Sequence, residues 1–214
     1  MWNEFIDMSY AARILMEGFC GKPETHTKGP HTDIRYTSDE VDLANISIID
    51  MRKEKKMWMM HVACFAKDTH AHPIYGFDVI CGQNKITGCF HDMSPTLPSP
   101  LDKDFAQSAK RYTPERTRPL PPWAQEIFSP SMVVQGPTSN QKDAQMLSTM
   151  GKENLFHWFN TLTPQTPNPD YHTKLAKYCD NQLQNTNSKN VMISMGLDPD
   201  YVTEFKKRQF PYGK

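Results

Sequence analysis

The stretch from Met57 to Pro95 constrains the fold most strongly, because it holds three apolar, β-branched runs separated by short polar segments. The runs span residues 57–66, 73–81 and 85–93, and each has the length of a strand. The segments between them are short enough for hairpins. This part of the sequence therefore predicts three consecutive antiparallel strands.

The second turn suggests a register for the last two strands. A two-residue loop of Gln83 and Asn84 pairs Gly82 with Lys85, and Asp78 then lies opposite Cys89. Side chains alternate between the two faces of a sheet. The face of Asp78 is therefore predicted to carry Gly76, Ile80, Thr87, Cys89 and His91.

The first turn adds a histidine to this face. A six-residue loop over 67–72 pairs Ala66 with Pro73 and places His61 directly opposite Asp78. Met59 and Ala63 then lie on the same face. A polar row bordered by small residues is typical of the floor of a pocket. The alternative, a solvated face of an antiparallel sheet, remains open at this point.

Asp78 is unusual because it is a lone carboxylate in an apolar strand. Burial of a carboxylate is costly unless the group is paired, and His61 is the predicted partner. A shared proton would suit a proton donor that works near neutral pH. The alternative is a structural aspartate that bonds to backbone or faces water.

Composition limits the class of protein. A chain of 214 residues with zero net charge predicts one domain over 1–214, with no general attraction to nucleic acid or membrane. No apolar run reaches the length of a membrane helix, and the N-terminal residues do not resemble a signal peptide. The five cysteines form no CxxC motif, so reduced thiols and a cytoplasmic location are expected.

The order of the remaining elements indicates the fold class. An amphipathic helix is predicted over 2–19, with Tyr10, Ile14 and Phe19 on its apolar stripe. Further strands are predicted over 32–38, 43–52 and 131–135, and helices over 102–110, 140–162 and 171–183, with two short helices in 185–207. The second of these long helices is expected to bury Met146 and Phe156. The pattern predicts an α+β fold in which helices pack on an antiparallel sheet.

Several familiar sites are missing from the sequence, which has no GxGxxG after a strand, no P-loop, no HExxH and no GxSxG. His61, His70, His72 and His91 lack a cysteine or carboxylate at zinc-like spacing, so no metal site is predicted. The basic run 52–56, with Lys85 on the neighbouring hairpin, is either a solvated tip or a docking patch for an acidic partner.

Three motifs resemble the ferredoxin-dependent bilin reductases, the family of phycocyanobilin- and phycoerythrobilin-forming ferredoxin oxidoreductases. They are HPIYGFDVI at 72–80, HDMSP at 91–95 and IFSP at 127–130. His61, seventeen residues before Asp78, also matches the family pattern. The resemblance covers roughly residue 36 to the C-terminus, and the short chain is similar to the compact viral members.

The resemblance implies a fold, a reaction and partners. The fold is a three-layer α/β/α sandwich with a central antiparallel β-sheet flanked by helices. The implied reaction is reduction of biliverdin IXα by reduced ferredoxin through a radical, in a monomer without bound metal or flavin. Asp78 is the implied proton donor and His61 its partner. Substrate-binding residues are expected to be Met59, Ala63, Ile80, Thr87, Cys89, His91, Asn185 and Asn187.

The sequence departs from the family at three positions. A glutamate of some members is replaced by Ile49, and an arginine that binds a propionate is replaced by Gly136. An Asn-Asp pair of many members looks like Asn185-Thr186 here, so its aspartate is absent or replaced by Asn187. Loss of the glutamate favours phycoerythrobilin, formed through dihydrobiliverdin, as the product. Phycocyanobilin, a halt at dihydrobiliverdin, a non-catalytic bilin carrier and a generic α+β interaction domain remain as alternatives.

Overall fold

A seven-stranded antiparallel sheet organises the described part of the chain, in which each strand pairs with the next in sequence. The structure, a computed structural model, describes residues 1–114, 116–117 and 119–213. The strands are β1 (Glu24–Lys28), β2 (His31–Tyr36), β3 (Val41–Met51), β4 (Met57–Ala66), β5 (Ile74–Gly82), β6 (Lys85–Ser94) and β7 (Val133–Gln135).

Seven α-helices in this part of the chain cover both faces of the sheet. They are α1 (Trp2–Cys20), α2 (Pro100–Ala109), α3 (Pro122–Gln125), α4 (Gln141–Asn160), α5 (Pro169–Leu183), α6 (Thr186–Ser194) and α7 (Pro199–Gln209). One large core joins α1, α2 and α4 to the sheet. Two smaller cores join the other helices to the opposite face. The prediction of an α+β sandwich is therefore confirmed.

The two long helices of the first face differ from the prediction in the side they bury. On α1 the buried side chains include Phe5, Met8, Ala12 and Met16. Tyr10, Ile14 and Phe19 are exposed, as are Met146 and Phe156 on α4. The predicted apolar stripes were wrong at these positions because another side of each helix packs on the core, the side of Phe5 and Met8 on α1 and the side of Leu147, Leu155 and Trp158 on α4.

The hairpins position the polar residues of the sheet. Gln83 and Asn84 both adopt positive φ and form the predicted two-residue loop, with Gly82 paired to Lys85. The loop between β4 and β5 includes a short 3₁₀ turn over Asp68–His70. Beyond it, Ala63 pairs with Gly76 and His61 with Asp78, which confirms the predicted register of β4 and β5.

The C-terminal helices are held onto the sheet by defined caps and contacts. Asp198 caps α7 by accepting a hydrogen bond from the backbone N–H of Tyr201 at 2.9 Å, as the Asp-Pro sequence predicts. On the sheet side, His31 Nδ1 lies 2.8 Å from the Tyr201 hydroxyl. Gln209, at the other end of α7, donates to Asn45. These contacts fix α7 across β2 and β3.

Candidate functional site

His61 and Asp78 form a close pair on the sheet face that the C-terminal helices cover. His61 Nδ1 lies 2.6 Å from Asp78 Oδ1, a hydrogen bond between directly opposed residues of β4 and β5. His61 is 5% exposed, and the Asp78 side chain is 36% exposed. The pair therefore joins a buried imidazole to a carboxylate that solvent or a ligand can reach.

The helical cover leaves the Asp78 side chain partly open to solvent. Gly76, Asp78 and Ile80 are half-buried, whereas the intervening β5 residues are buried against the other helical layer. One apolar cluster, containing Ala63, packs on α5. A second cluster, containing Met59, packs on α6 and α7. The polar pair lies on the sheet between these two clusters, with apolar surface on each side.

His61 has one ring nitrogen that the protein does not satisfy. Nε2 is buried and has no hydrogen-bond partner among the described residues. The Phe210 ring packs edge-on to the imidazole, with centroids 6.1 Å apart, and offers no polar group. A buried polar atom without a partner is costly, so a water molecule or a ligand atom is the kind of group that would complete it.

The predicted register of β5 and β6 was wrong beyond the turn. Ile80 pairs with Gly88 and Cys81 with Ile86, so Thr87 is an extra residue in β6. Such a β-bulge moves every later side chain of its strand to the other face. Asp78 consequently pairs with Phe90, and the Thr87 hydroxyl donates to the Ile80 carbonyl at 3.0 Å.

Cys89 and His91, predicted as substrate-binding residues, therefore lie away from Asp78. Both are fully buried in or against the core beneath α1, α2 and α4. His91 donates from Nδ1 to the Gly76 carbonyl at 2.8 Å, and its Nε2 accepts from the Asn154 amide at 2.9 Å. Burial lowers the pKa of His91 to about 4. The structure thus gives His91 a structural role as a neutral imidazole.

A buried lysine near the pair was missed by the sequence analysis. Lys206 on α7 is 4% exposed, and its Nζ donates to the Gln182 and Asn185 carbonyls, each at 2.9 Å. Burial lowers its pKa to about 8, although the carboxylate of Asp78 acts in the opposite direction. The stripe of Val202, Phe205 and Gln209 around Lys206 is the signal that would have identified its inward position.

Asp92 connects two of the sequence motifs. This buried carboxylate of HDMSP accepts hydrogen bonds from the Ser94 hydroxyl and from the backbone N–H and hydroxyl of Ser129 in IFSP. Burial raises the pKa of Asp92 to about 6, while these donors favour the ionised form. Asp92 pairs with Gly76 across β5 and β6, so it fixes the segment after α3 beside the candidate site.

The two asparagines predicted as substrate ligands lie at the start of α6, Asn185 just before it and Asn187 in its first turn. Asn185 is the N-cap, accepting from the Ser188 N–H at 3.2 Å, and its carbonyl receives Lys206. Asn187 is exposed in the first turn. These contacts give Asn185 a structural role at the start of α6.

The structure shows what surrounds Ile49 and Gly136, the other two positions at which the sequence departs from the family pattern. Ile49 is buried beside Met59 in the apolar cluster under α6 and α7. Gly136, which donates to the Arg116 carbonyl at 2.7 Å, follows β7 at the edge of the sheet. A Cβ at position 136 would lie 3.1 Å from that carbonyl oxygen. The segment at Arg116 thus occupies the space that a side chain at 136 would need.

The chemistry available at this site is proton transfer. Among the described residues, no group of three or more His, Cys, Asp or Glu side chains is arranged to hold a metal ion. A carboxylate hydrogen-bonded to an imidazole can share a proton and deliver it to a bound molecule.

The searched helices include none long and apolar enough to cross a membrane.

Comparisons with known proteins agree with the motifs. The chain is 24% identical over 161 residues to phycocyanobilin:ferredoxin oxidoreductase of Prochlorococcus marinus, a match of 71% of the chain and 64% of the relative. It is 24% identical over 147 residues to the protein of that name in Trichodesmium erythraeum, with 64% and 59% covered. The chain thus spans less than two thirds of these curated relatives. No protein-family profile matches it.

Two solved structures share the fold. A protein named PcyX superposes with a TM-score of 0.65 at 20% identity, covering 94% of each chain. Phytochromobilin synthase from tomato, in complex with biliverdin, superposes with a TM-score of 0.73 at 11% identity, covering 99% of this chain and 83% of the other. Both superpositions show that the chain has the fold of these two proteins.

Proposed function

We propose that this chain is a ferredoxin-dependent bilin reductase, which reduces biliverdin IXα to a phytobilin. The observation that carries the proposal is the His61–Asp78 pair, whose buried Nε2 lacks a partner, at the opening between two apolar clusters. An extended tetrapyrrole has apolar rings for those clusters and polar nitrogens for the pair. The motifs and the named relatives supply the substrate class.

The proposed mechanism uses the protein for protons and shape. Ferredoxin delivers electrons singly, so each reduction of a double bond consumes two electrons and two protons. Asp78, which a ligand can reach, gives its proton to the reduced bilin. His61, joined to Asp78 at 2.6 Å, supplies the next proton to the carboxylate. Met59, Ala63 and Ile80 form the apolar floor on either side of the pair.

The proposed product is phycoerythrobilin, formed through dihydrobiliverdin in two successive two-electron steps. Ile49 lies on the same sheet face as His61, two residues from Ser47, which pairs with His61. An aliphatic side chain there cannot pass a proton to the ring that the phycocyanobilin-forming members reduce. Asp78 and His61 remain to protonate the central methine bridge and the A-ring.

The test is an anaerobic incubation of the chain with biliverdin, ferredoxin and an electron source, followed by chromatography against bilin standards. Phycoerythrobilin as the main peak supports the full proposal. Phycocyanobilin, or dihydrobiliverdin alone, would keep the reductase and overturn the product. A spectral shift of bound biliverdin without any new compound would mean a carrier. An unchanged spectrum would mean that the chain does not bind biliverdin.

A further inference from the structure

A polar cavity lies on the same sheet face as Asp78, on the β1–β2 side of α7. It has a volume of about 420 Å³ and opens between the β1–β2 hairpin and α7. Three cationic side chains line it: Lys28 from β1, Arg35 from β2 and Arg208 from α7. Because α7 is bonded to the sheet through Tyr201 and Gln209, this cavity is separate from the His61–Asp78 site.

Arg35 carries a donor that the protein leaves unused. Its Nε donates to Asp33 Oδ2 at 2.8 Å, and the side chain is 16% exposed. Its Nη2 is buried and, among the described residues, has no hydrogen-bond partner. An unsatisfied buried donor costs about 1–3 kcal/mol, and more when it is charged. A hydrogen-bond acceptor on a ligand would therefore pair with the unused Nη2 of Arg35.

The other cations add positive charge without protein carboxylates to neutralise it. Within the described chain, neither Lys28 nor Arg208 forms an ion pair. Lys28 Nζ lies over the Tyr201 ring, 4.5 Å from its centroid, at the boundary of the cavity. The carboxylate that lines the cavity, Glu24, lies 2.8 Å from His26 Nε2. The cavity thus has a positive balance.

We propose that this cavity binds an oxyanion, the carboxylate or phosphate group of a small molecule. The two guanidinium groups provide planar pairs of N–H donors that match such oxygens, and Lys28 adds a point charge. A bound oxyanion would connect the β1–β2 hairpin to α7 through Arg35 and Arg208. The proposal does not depend on the bilin chemistry at Asp78.

The test is isothermal titration of the whole chain with inorganic phosphate and, separately, with citrate, at an ionic strength held constant with sodium chloride. Saturable binding of at least one anion is expected, and the anion with the lower dissociation constant identifies the preferred oxyanion. Arg208→Gln should weaken binding at least about tenfold, and Lys28→Gln should weaken it by a smaller factor. The control is Arg13→Gln, which changes an arginine paired with Glu17 on α1.

Arg35→Gln is a weaker test, because loss of the bond to buried Asp33 can unfold the chain. Arg208 is exposed, so its replacement keeps the experiment interpretable. Equal affinity in Arg208→Gln and the unmodified chain would overturn the proposal. So would a heat of titration that sodium chloride alone reproduces.

Discussion

His61 and Asp78 meet at 2.6 Å because a single hairpin places them opposite each other on adjacent strands. The imidazole is held at Nδ1 by the carboxylate, while Nε2 has no partner in the described chain. The two residues therefore form one hydrogen-bonded unit, in which a change at either position removes the partner of the other.

Asp78→Asn is expected to retain biliverdin binding and to lose turnover. An amide fills the same space but cannot give up a proton, so the rate should fall about 10²–10⁴-fold, the usual contribution of a general acid. His61→Gln should slow turnover and change the pH dependence of the bound bilin spectrum. Anaerobic stopped-flow absorbance measures both effects.

The matched control for this pair is on the surface. Asp104 accepts from His157 at 3.0 Å, and both side chains are about half exposed. Asp104→Asn removes a histidine–aspartate pair without touching the candidate site, so turnover should be unchanged. Wild-type turnover by Asp78→Asn would exclude Asp78 as the proton donor.

Lys206→Met is expected to destabilise the chain. The variant leaves the carbonyls of Gln182 and Asn185 without their charged donor, at a cost of about 2–3 kcal/mol. Lys207→Met, the control, removes an exposed lysine paired with Glu204 on the same helix. Urea unfolding should separate the two variants clearly. Equal midpoints would show that the Lys206 hydrogen bonds contribute nothing measurable.

Electron delivery is expected to depend on the tips of two hairpins. The N–H of Gln83 donates to the Lys56 carbonyl at 3.0 Å, which brings the tip of β5–β6 against that of β3–β4. Exposed Lys53, Lys56 and Lys85 thus lie at one end of the sheet. Arg52 is already paired with Asp50 at 2.7 Å. These lysines form the proposed docking patch for an acidic ferredoxin.

Charge reversal tests the docking patch. The double variant Lys53→Glu, Lys56→Glu should lower kcat/KM for ferredoxin about tenfold at low salt, and the difference should shrink as salt rises. Lys142→Glu, at the start of α4, is the control. Rates that do not change with salt in the unmodified chain would count against an electrostatic encounter.

Arg116 is expected to replace the missing arginine at Gly136. The backbone of the two residues is hydrogen-bonded at 2.7 Å, so the Arg116 side chain starts close to the position from which the family arginine would reach a propionate. Arg116→Gln should weaken biliverdin binding about tenfold through loss of one charge-assisted contact. Arg111→Gln, which removes the pair with Glu153, should not. Equal dissociation constants for both variants would reject this assignment.

Stability is expected to fall in mild acid because buried histidines resist protonation. Burial lowers the pKa of His31, His72 and His91 to about 4, below the ordinary 6.5. Between these values the unfolded chain binds more protons at the three histidines than the folded chain does, an excess that Asp92, with its pKa raised to about 6, reduces by up to one proton. The free energy of unfolding should therefore decrease as pH falls from 6.5 towards 4, by up to about 1.4 kcal/mol per pH unit for each histidine.

The contribution of His91 can be isolated by the slope of stability against pH. His91→Gln should reduce that slope by about one proton, whatever its effect on stability itself. His172→Gln, at an exposed position, should leave the slope unchanged. An unaltered slope in His91→Gln would show that His91 does not titrate on unfolding.

The sequence predicted the register of the β4–β5 hairpin correctly and that of the β5–β6 hairpin incorrectly, and the difference has a physical reason. The pairing of His61 with Asp78 followed from loop length and alternation alone. The predicted pairing of β5 with β6 was wrong because Thr87 is an extra residue in β6. A glycine within the strand, Gly88, was the available signal of this bulge. Strand β1 was missed because its polar sequence ETHTK is exposed at every position and carries no apolar alternation. Lys206 was missed because a basic last turn resembles a solvated helix end.

The sequential order of the strands has a consequence for how the site forms. Each strand meets its neighbour through a nearby loop, except at β7, so most of the sheet can assemble from contacts close in the chain. Such short loop closures are entropically cheap and favour fast folding. The cover, by contrast, comes from α5, α6 and α7, far later in the chain. We therefore expect the hairpin that joins His61 to Asp78 to form early in folding, and the helices that cover the pair to pack on it later.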